Sequence, residues 1–511
     1  MLTPHRTAAI LIFPAIAYFG AACERTDMPT DARLMASLAD PPRLLVDDDL
    51  IQCPTAQYTS IQMAVTAAAP GAHIDVCPGT YIEQVTIPAG KDNIQLRSTR
   101  RWEAVIKAPA VMVPPKAIVL VNAAQNVTIL AFTITGPGGG PCDALEYGVR
   151  VDGGGSADIL GNHITQIRDE PLSGCQNGVA IRVGRQFEGT TGSARIMGNV
   201  IDNYQKNGPT VDNVGSHAEI VNNRILGIGP TAVIAQNGIQ ASRGATAEIR
   251  HNFVSGNIYT PQTFASGGIL LFEPGAVLTD HNTASSNDVS IWMIAAASGS
   301  MTTQNRVRAS TFDGITLDGA IGNQVAHNKS DQNAGPGIGV YDSQNNALDD
   351  NKVEHNDDSG ILLGDAAGLF PADNNTVGDN KVRNNGTAGA DVTDGIRINI
   401  LSTSNTVHDN HLRDNVTHDC HDDGIGNVWV NNHGETSQPP GLCGRDDDAV
   451  DFETSTVYGW DPAYPWYNAF DVAADFDWAA AYATIDIESL LQLLPAIRTG
   501  GIRRATPSPD Q

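Results

Sequence analysis

The chain has 511 residues, of which 41% are hydrophobic, 17% are charged and 6% are aromatic. This composition, with 51 glycines, does not fit a coiled coil or a disordered chain. Thirty-one basic against 57 acidic side chains give a formal net charge of −26, which argues against sequence-independent nucleic-acid binding because that binding neutralises phosphates. No nucleic-acid partner is therefore expected.

The first 23 residues have the layout of a secretory signal peptide. Two basic residues precede an apolar stretch from Ala8 to Phe19, and small residues follow. Residues 20–23 resemble a bacterial lipobox, so Cys23 is a candidate lipidation site, and a plain secreted protein cleaved nearby is the alternative. Residues 24–45 are expected to form a linker. We predict a protein exported from a bacterial cell, either secreted or held at the outer membrane or cell surface through a lipid anchor alone.

The other six cysteines form three local pairs. An oxidising compartment favours disulfides, and the members of each pair are close in sequence and remote from the other two pairs. No CxxC spacing occurs, so a structural zinc site is not expected. The predicted disulfides are Cys53 with Cys77, Cys142 with Cys175, and Cys420 with Cys443.

One helix is predicted near the amino terminus, at about residues 59–69. Thr59 or Ser60 can cap its first turn, and Pro70 with Gly71 ends it. Its apolar face comprises Ile61, Val65 and Ala68. Strand-like segments follow, and a helix in this place would cap the open end of a stack of strands, whose free edges otherwise recruit other chains.

Two short motifs alternate through most of the chain, at intervals of 22 to 37 residues. Each copy shows the period-two alternation of a short strand with one buried face. A repeat of this length predicts a solenoid, in which each coil lies about 4.8 Å above the previous one. The first motif, Gly-apolar-any-apolar, begins at Gly148, Gly178, Gly238, Gly268, Gly314, Gly337, Gly360 and Gly395, with weaker copies at Gly208 and Ser290. The second contains Asn162, Asn199, Asn223, Asn252, Asn282, Asn305, Asn328, Asn351, Asn380 and Asn410.

The residue before each repeated asparagine belongs to a narrow set of types. Gly, Asn, Asp and His tolerate left-handed backbone dihedrals best, so this column favours a recurring bend over a metal site built from its histidines. The asparagines that follow are expected to stack as a hydrogen-bonded ladder. The column reads Gly161, Gly198, Asn222, His251, His281, Gln304, His327, Asp350, Asp379 and Asp409.

Residues 444–511 break the repeat pattern and predict a C-terminal cap folded back on the solenoid. Ten of the 29 aromatic residues lie between Phe452 and Tyr482, and a helix is expected at about residues 485–499. A separate sugar-binding module is the alternative interpretation of this segment.

The string YTSIQMAVTAAAPGAHIDVCPGTYIEQVTI and the two repeats resemble the right-handed parallel β-helix proteins of the pectin lyase-like superfamily, including NosD-like proteins with PbH1 repeats. The resemblance covers about residues 45–430. It implies an all-β fold, a single-stranded right-handed parallel β-helix over residues 46–443 with an N-terminal capping helix and an aromatic-rich C-terminal cap. It transfers no catalytic residue, because the Asn-Thr-Asp and Gly-His-Gly strings of polygalacturonases, the GFIF string of pectinesterases and the Asp-Pro-His string of mannuronan epimerases are absent.

Six outward-facing residues of the Gly-led strands are predicted to bind an extended, anionic polysaccharide. Aromatic faces stack on sugar rings, and guanidinium groups pair with uronate carboxylates. The alternative is that these exposed sheet residues have no binding role. The six are Arg150, Arg182, Phe272, Trp292, Tyr341 and Arg397.

Carboxylates recur at the trailing ends of the same strands. Carboxylates about 5 Å apart repel each other unless a cation bridges them or one keeps its proton. The predicted metal ligands, with Ca²⁺ as the candidate ion, are Glu273, Asp318, Asp342 and Asp365. The last three are also catalytic candidates, and Lys329 and Lys352 are candidate bases of an elimination. Solvated turn residues and a charge-balanced lysine face are the respective alternatives.

A last polar cluster surrounds Cys420. Residues 418–423 hold the densest set of metal-binding side chains in the chain, and a loop held by a disulfide explains the same residues without an ion.

These observations predict an exported β-helix protein that binds an extended acidic polysaccharide. The leading enzymatic version is a lyase acting by calcium-assisted elimination, and a glycoside hydrolase-like reaction is the other. A non-catalytic structural or adhesive protein of the cell surface or envelope and a NosD-like periplasmic accessory protein remain as alternatives.

Overall fold

The computed structural model describes residues 42–140, 142–297, 299–387 and 393–444. The predicted signal peptide, the lipidation site Cys23, nearly all of the predicted linker and the predicted C-terminal cap beyond residue 444 lie outside the described residues. The described chain is almost entirely β-structure in three long parallel sheets, which we call sheets A, B and C. Its helices are α1 (Ile61–Ala67) and a 3-10 turn at Gln186–Glu188.

The strands of each sheet follow one another along the stack. Sheet A contains β1 (Arg43–Val46), β2 (His73–Val76), β5 (Gln95–Ser98), β8 (Val127–Leu130), β11 (Gly155–Leu160), β14 (Gly192–Met197), β17 (His217–Val221), β20 (Thr246–Arg250), β23 (Val277–Asp280), β26 (Met301–Thr303), β29 (Gln324–Ala326), β32 (Ala347–Asp349), β35 (Thr376–Gly378), β38 (Thr406–His408) and β41 (Val428–Val430). Sheet B contains β3 (Gly79–Ile82), β6 (Ala104–Lys107), β9 (Thr133–Thr135), β12 (His163–Thr165), β15 (Val200–Asp202), β18 (Arg224–Thr231), β21 (Phe253–Tyr259), β24 (Thr283–Ser285), β27 (Arg306–Arg308), β30 (Lys329–Asp331), β33 (Lys352–Glu354), β36 (Lys381–Arg383) and β39 (His411–Arg413). Sheet C contains β4 (Val85–Pro88), β7 (Ala117–Asn122), β10 (Tyr147–Asp152), β13 (Val179–Val183), β16 (Asn207–Asp212), β19 (Asn237–Ser242), β22 (Gly267–Phe272), β25 (Val289–Ile294), β28 (Ile315–Asp318), β31 (Ile338–Tyr341), β34 (Ile361–Leu363), β37 (Ile396–Ile398), β40 (Cys420–Asp422) and β42 (Ser437–Gln438).

Each coil contributes one strand to sheet A, then one to B, then one to C. A strand pairs in parallel with the equivalent strands of the coils before and after it. Residues aligned in register on successive coils form what we call a column. The N–H of Ile315 donates to the Gly337 carbonyl, and that of Ile338 donates to the Gly360 carbonyl, at 3.1 and 3.0 Å. The repeated glycines therefore lie on adjacent coils, and the predicted solenoid is confirmed.

The repeated asparagines form the predicted ladder at the corner between sheets A and B. The side-chain amide of Asn328 donates to Asn351 Oδ1 at 3.0 Å and to the Thr302 carbonyl at 2.8 Å, and its backbone N–H donates to the same Oδ1. These bonds satisfy polar groups that are buried between coils. The same pattern runs from Asn162 to Asn432.

The predicted bend before this ladder is also confirmed. All ten residues of the column from Gly161 to Asp409 have φ between 52° and 66°, the left-handed region that Gly, Asn, Asp and His tolerate best. Backbone geometry therefore explains why histidines occur in this column.

Two further ladders lie at the other corners, and the sequence analysis missed them. They have the same hydrogen bonds and a similar spacing along the chain. The ladder between sheets B and C contains Asn257 and Asn287 and, after Ser310, Asn333, Asn356, Asn385 and Asn415. The ladder between sheets C and A contains Asn323, Asn346, Asn375, Asn405 and Asn427.

Helix α1 lies at the amino-terminal end of the described stack, as predicted. Ser60 is the N-cap, and its hydroxyl accepts the N–H of Met63 at 3.3 Å. Ile61 and Val65 are fully buried, and the helix packs on β1, β2 and β4, which include the first strands of sheets A and C. None of the helices in the described residues is long enough to reach across a bilayer.

The three predicted disulfides are present: Cys53 with Cys77, Cys142 with Cys175, and Cys420 with Cys443. Each joins residues between 23 and 33 positions apart, which is about one coil. Local pairing therefore follows from the solenoid, because residues one coil apart are neighbours in space.

Candidate functional site

The outer face of sheet C carries most of the predicted ligand-binding residues. Alternation along the strands places Val149 and Val151 in the core and Arg150 on the outer face. Register divides the six predicted residues between two columns. Arg150, Arg182, Trp292 and Arg397 belong to the first, and Phe272 and Tyr341 belong to the second.

The prediction of exposed guanidinium groups at Arg150 and Arg182 is wrong. Arg150 is 1% exposed and pairs with Asp152 and Glu188, and Arg182 is 9% exposed and pairs with Asp212. The turn that carries Glu188 extends from the sheet and covers this part of the face. A covered, neutralised guanidinium is not available to a uronate chain.

The aromatic residues have different surroundings. Phe272 and Trp292 are both half-buried. The guanidinium carbon of Arg243 lies 5.6 Å from the Phe272 ring centre and 4.9 Å from that of Phe187, which is 74% exposed. The structure therefore brings Phe272 beside a cation that the sequence analysis had not named, and it places Trp292 in the neighbouring column.

Tyr341 folds back across Gly339 toward a buried carboxyl group. A Cβ at position 339 would collide with the Tyr341 hydroxyl and with Asp313 Oδ2, so only glycine leaves room for this pair. Asp313 is 9% exposed and accepts a hydrogen bond from Thr316 Oγ1 at 2.9 Å. Burial raises the pKa of Asp313 to about 7, with a further contribution from the Asp358 carboxylate. Asp313 can therefore exchange a proton near neutral pH.

The raised pKa of Asp313 predicts a pH-dependent stability. Between pH values near 3.8 and 7 the folded protein keeps a proton that the unfolded chain releases, so rising pH in this window destabilises the fold. Asp313→Asn removes the titration. The urea midpoint of Asp313→Asn minus that of the natural protein is expected to be larger at pH 8 than at pH 5. An equal difference at both pH values would contradict the assignment.

A second cluster lies further along the same sheet, around Asp394, which stands three coils after Asp313. The Asp394 carboxylate is fully buried and accepts hydrogen bonds from His418 Nδ1 at 3.1 Å, His421 Nδ1 at 2.9 Å and Arg397 Nη1 at 2.9 Å. The two imidazole rings are perpendicular, with centres 5.0 Å apart. Asp394 thereby fixes each ring through its Nδ1. The Nε2 atom of each ring points away from Asp394.

Arg397 and His421 occupy adjacent positions in the first column of sheet C. Asp423 lies over both: its Oδ2 is 2.9 Å from Arg397 Nη2 and 3.2 Å from His421 Nε2. The Asp423 side chain is 45% exposed, whereas that of Arg397 is 17% exposed and that of His421 is 11% exposed. One anionic oxygen at the surface therefore contacts a fixed cation and an oriented imidazole.

The ionisation of this cluster follows from its hydrogen bonds. Asp394 raises the pKa of His421 above the ordinary 6.5, chiefly through their hydrogen bond. Burial alone would raise the pKa of Asp394, but hydrogen bonds from His421 and Arg397 lower it instead. The buried carboxylate is thus negative, and its hydrogen bond stabilises the protonated form of the His421 imidazole.

The four predicted metal ligands do not form one site. Glu273 and Asp342 share a column but are three coils apart, about 14 Å along the stack. Asp365 accepts the N–H groups of Ala367 and Phe370, and so holds its own loop. Only Asp318 and Asp342 influence each other: burial raises the pKa of Asp318, and the Asp342 carboxylate raises it further.

The predicted bases Lys329 and Lys352 lie on sheet B, away from the carboxylates of sheet C. Both ammonium groups pair with buried Glu354, at 2.8 and 3.4 Å, and Arg383 joins them at 2.9 Å. Burial would raise the pKa of Glu354, but hydrogen bonds from Lys329 and Arg383 lower it to about 2. The candidate bases therefore lie on a different sheet from the candidate carboxylates Asp318 and Asp342, and their ion pairs with Glu354 match the alternative of a charge-balanced lysine face.

In the described residues, three sets of side chains bring potential metal-ligating atoms within 4.8 Å of one another. None of them contains the predicted ligands. The sets are Asp394 with His418 and His421, Asp331 with Glu354 and His355, and Asp47 with Asp48 and Asp49. The first was anticipated in part by the polar cluster around Cys420, and its key carboxylate, Asp394, was missed.

Part of the chain matches a known family model. The family model described as "right handed beta helix region" matches residues 267–437. Solved structures that are similar include the periplasmic alginate epimerase AlgG, at 12% identity over 73% of this chain and 85% of that one, with a TM-score of 0.45. The mannuronan C-5 epimerase AlgE4 A-module of Azotobacter vinelandii is 14% identical over 74% and 94%, with a TM-score of 0.42.

A third similar structure, of the alginate lyase AlyF-OU02, is 13% identical over 81% of this chain and 90% of that one, with a TM-score of 0.40. No curated protein sequence matches the chain. The three parallel sheets, the stacked corners and the match of residues 267–437 together confirm the architecture expected from the resemblance to the pectin lyase-like superfamily. The described chain therefore has the fold of a right-handed parallel β-helix.

Proposed function

We propose that the protein binds an extended polysaccharide along the outer face of sheet C and processes it by acid–base chemistry at Arg397 and His421. The proposal rests on the position of Asp423 Oδ2. This atom lies 2.9 Å from Arg397 Nη2 and 3.2 Å from His421 Nε2. It marks a place where an anionic oxygen meets a cation and an imidazole that buried Asp394 orients.

The polysaccharide proposed for this site is anionic, with a carboxylate on its sugars. Arg397 is held by Asp394 and Asn399 through two of its nitrogens, at 2.9 and 2.6 Å, and presents Nη2 to the surface. Because Asp423 is half-exposed, a uronate carboxylate can take its place against Nη2. On the same sheet, Tyr341 lies two coils from Arg397 and Asp313 lies three coils from it, and the half-buried Tyr341 side chain would contact the polysaccharide further along its length.

The reaction proposed is removal of the proton on the carbon next to the bound carboxylate. The C–H bond breaks, and the proton passes to the unprotonated Nε2 of His421. In an elimination, the released electron pair forms a C=C bond while the glycosidic C–O bond on the adjacent carbon breaks, and the leaving oxygen takes a proton from solvent. Return of a proton to the opposite face of the same carbon would instead epimerise the sugar. Arg397 stabilises the negative charge that develops on the carboxylate.

Calcium remains a proposal for Asp318 and Asp342 alone. These two carboxylates are on adjacent coils and influence each other, so a cation between them would relieve their repulsion. Arg397 supplies positive charge at the reacting sugar independently of such an ion.

A non-catalytic surface or envelope role is the second candidate. It is favoured by the burial of Arg150 and Arg182 in ion pairs, which removes two of the three predicted guanidinium groups from the surface. Export from the cell is part of both proposals, and three disulfides in the described residues support it.

Incubation with a panel of uronate polymers tests the proposal. We expect ultraviolet absorbance from an unsaturated product, or a changed ratio of uronate epimers by proton NMR, with at least one polymer. Arg397→Gln should abolish the change, whereas Arg308→Gln on sheet B should not. Binding without chemical change to any polymer would favour the non-catalytic role, and binding of neither acidic nor neutral polymers would overturn the proposal. Chelation of divalent ions separately tests the calcium site.

A further inference from the structure

The last coil of sheet A differs from the coils before it in what it exposes. Three outward columns that carry polar or small residues on the three coils immediately before the last one end in large aliphatic residues. Thr376 and Thr406 precede Val428, and Gly378 and His408 precede Val430. In the third column Thr403 precedes Ile425. We call Ile425, Val428 and Val430 the end patch.

The end patch is exposed within the described residues. Ile425 is 63% exposed, Val428 51% and Val430 44%. Strand β41 is also the last strand of sheet A in this part of the chain, so one of its backbone edges has no strand beside it. An apolar surface beside an unpaired strand edge is a site of association, and the terminal coils of solenoids normally present polar surfaces.

We propose that residues 445–511 cover the end patch. The chain leaves the described region on the last coil itself: Gly444 donates its N–H to the Asn432 carbonyl at 3.0 Å and accepts that of Gly434 at 2.9 Å. Residues 445–511 therefore begin beside the last coil. They contain ten of the 29 aromatic residues of the chain, all between Phe452 and Tyr482, which is the apolar complement that the end patch lacks.

The geometry favours this occupant over a second copy of the chain. A segment tethered at Gly444 reaches the patch as an intramolecular partner at high effective concentration. Two copies meeting at their patches would need to displace this tethered segment. The proposal concerns the end of the stack and is independent of the chemistry proposed for sheet C.

A charge placed in the patch tests the proposal in the full-length protein. Val428→Lys with Val430→Lys should release residues 445–511, because burying two ammonium groups in an apolar contact is unfavourable. We expect cleavage by a dilute protease beyond residue 444 to become about tenfold faster or more. Acrylamide quenching of tryptophan fluorescence should rise as well, because Trp460, Trp466 and Trp478 are three of the six tryptophans.

Met301→Lys is the matched control. Met301 lies in the same column as Val428, is 43% exposed and lies in the middle of the stack. It should change neither cleavage nor quenching. The proposal is overturned if the natural protein and the double variant are cleaved and quenched alike. It is also overturned if light scattering shows a dimer that the double variant dissociates, which would assign the patch to a second copy.

Discussion

Replacing His421 by glutamine is expected to lower the rate of uronate processing by about a hundredfold or more, with little change in polymer binding. General bases of this kind contribute about 10² to 10⁴ in rate, and glutamine keeps a polar side chain of similar reach beside Asp394 without a titratable nitrogen. The measurement is the initial rate at saturating and at low polymer concentration, so that turnover and binding are separated.

The pH profile of the natural protein provides an independent check on His421. Only the unprotonated imidazole can take a proton, and Asp394 raises the pKa of His421 above 6.5. The rate should therefore rise with pH through a pKa above 6.5, and Asp394→Asn should shift this limb to lower pH. His327→Gln is the matched control, because His327 is exposed at the corner between sheets A and B and its loss should leave the rate unchanged. A rate that survives His421→Gln would remove His421 from the mechanism.

Replacing Asn328 by alanine is expected to cost about 3 to 5 kcal/mol of stability. The change removes the acceptor for the backbone and side-chain N–H groups of Asn305, at 2.9 and 3.0 Å, and the donor to the Thr302 carbonyl. These groups stay buried, so each lost bond costs about 1 to 3 kcal/mol and the sum is reduced by local relaxation. Urea unfolding followed by circular dichroism measures the loss.

Asn345→Gly is the control for the ladder substitution. Asn345 also has a left-handed backbone, with φ of 57°, but its side chain is exposed. Glycine accepts this φ without strain, so the midpoint should move by about 0.5 kcal/mol or less. A loss for Asn328→Ala as small as that of the control would show that the ladder is not a main source of stability.

The corner between sheets A and B was predictable because its constraint is local. A left-handed bend depends on a single residue, and the residue types in the column from Gly161 to Asp409 are those that favour it. The other two Asn ladders carry a similar spacing and could have been found in the same way. Asn323, Asn346 and Asn375 each stand one residue before a strand of sheet A.

The candidate site was harder to predict because it depends on loops and on exact register. Alternation placed Arg150 on the outer face correctly, but nothing local to β10 shows that Glu188 will cover it. Asp318 stands four residues after Gly314, whereas Asp342 stands five after Gly337, and this difference of one position already separates their columns. Asp313 and Asp394 each directly precede a repeated glycine, which was an available signal that the analysis did not use.

The short sequence distance between stacked residues has a consequence for how the protein folds. Successive members of the ladder from Asn162 to Asn432 are 22 to 37 positions apart in a chain of 511 residues. Each added coil therefore closes a loop of about that length, and the entropy of closure does not grow as the assembly lengthens. Growth can propagate from the end bearing α1, with the last completed coil templating the next. A defect at one coil should stall propagation there while the earlier coils remain assembled.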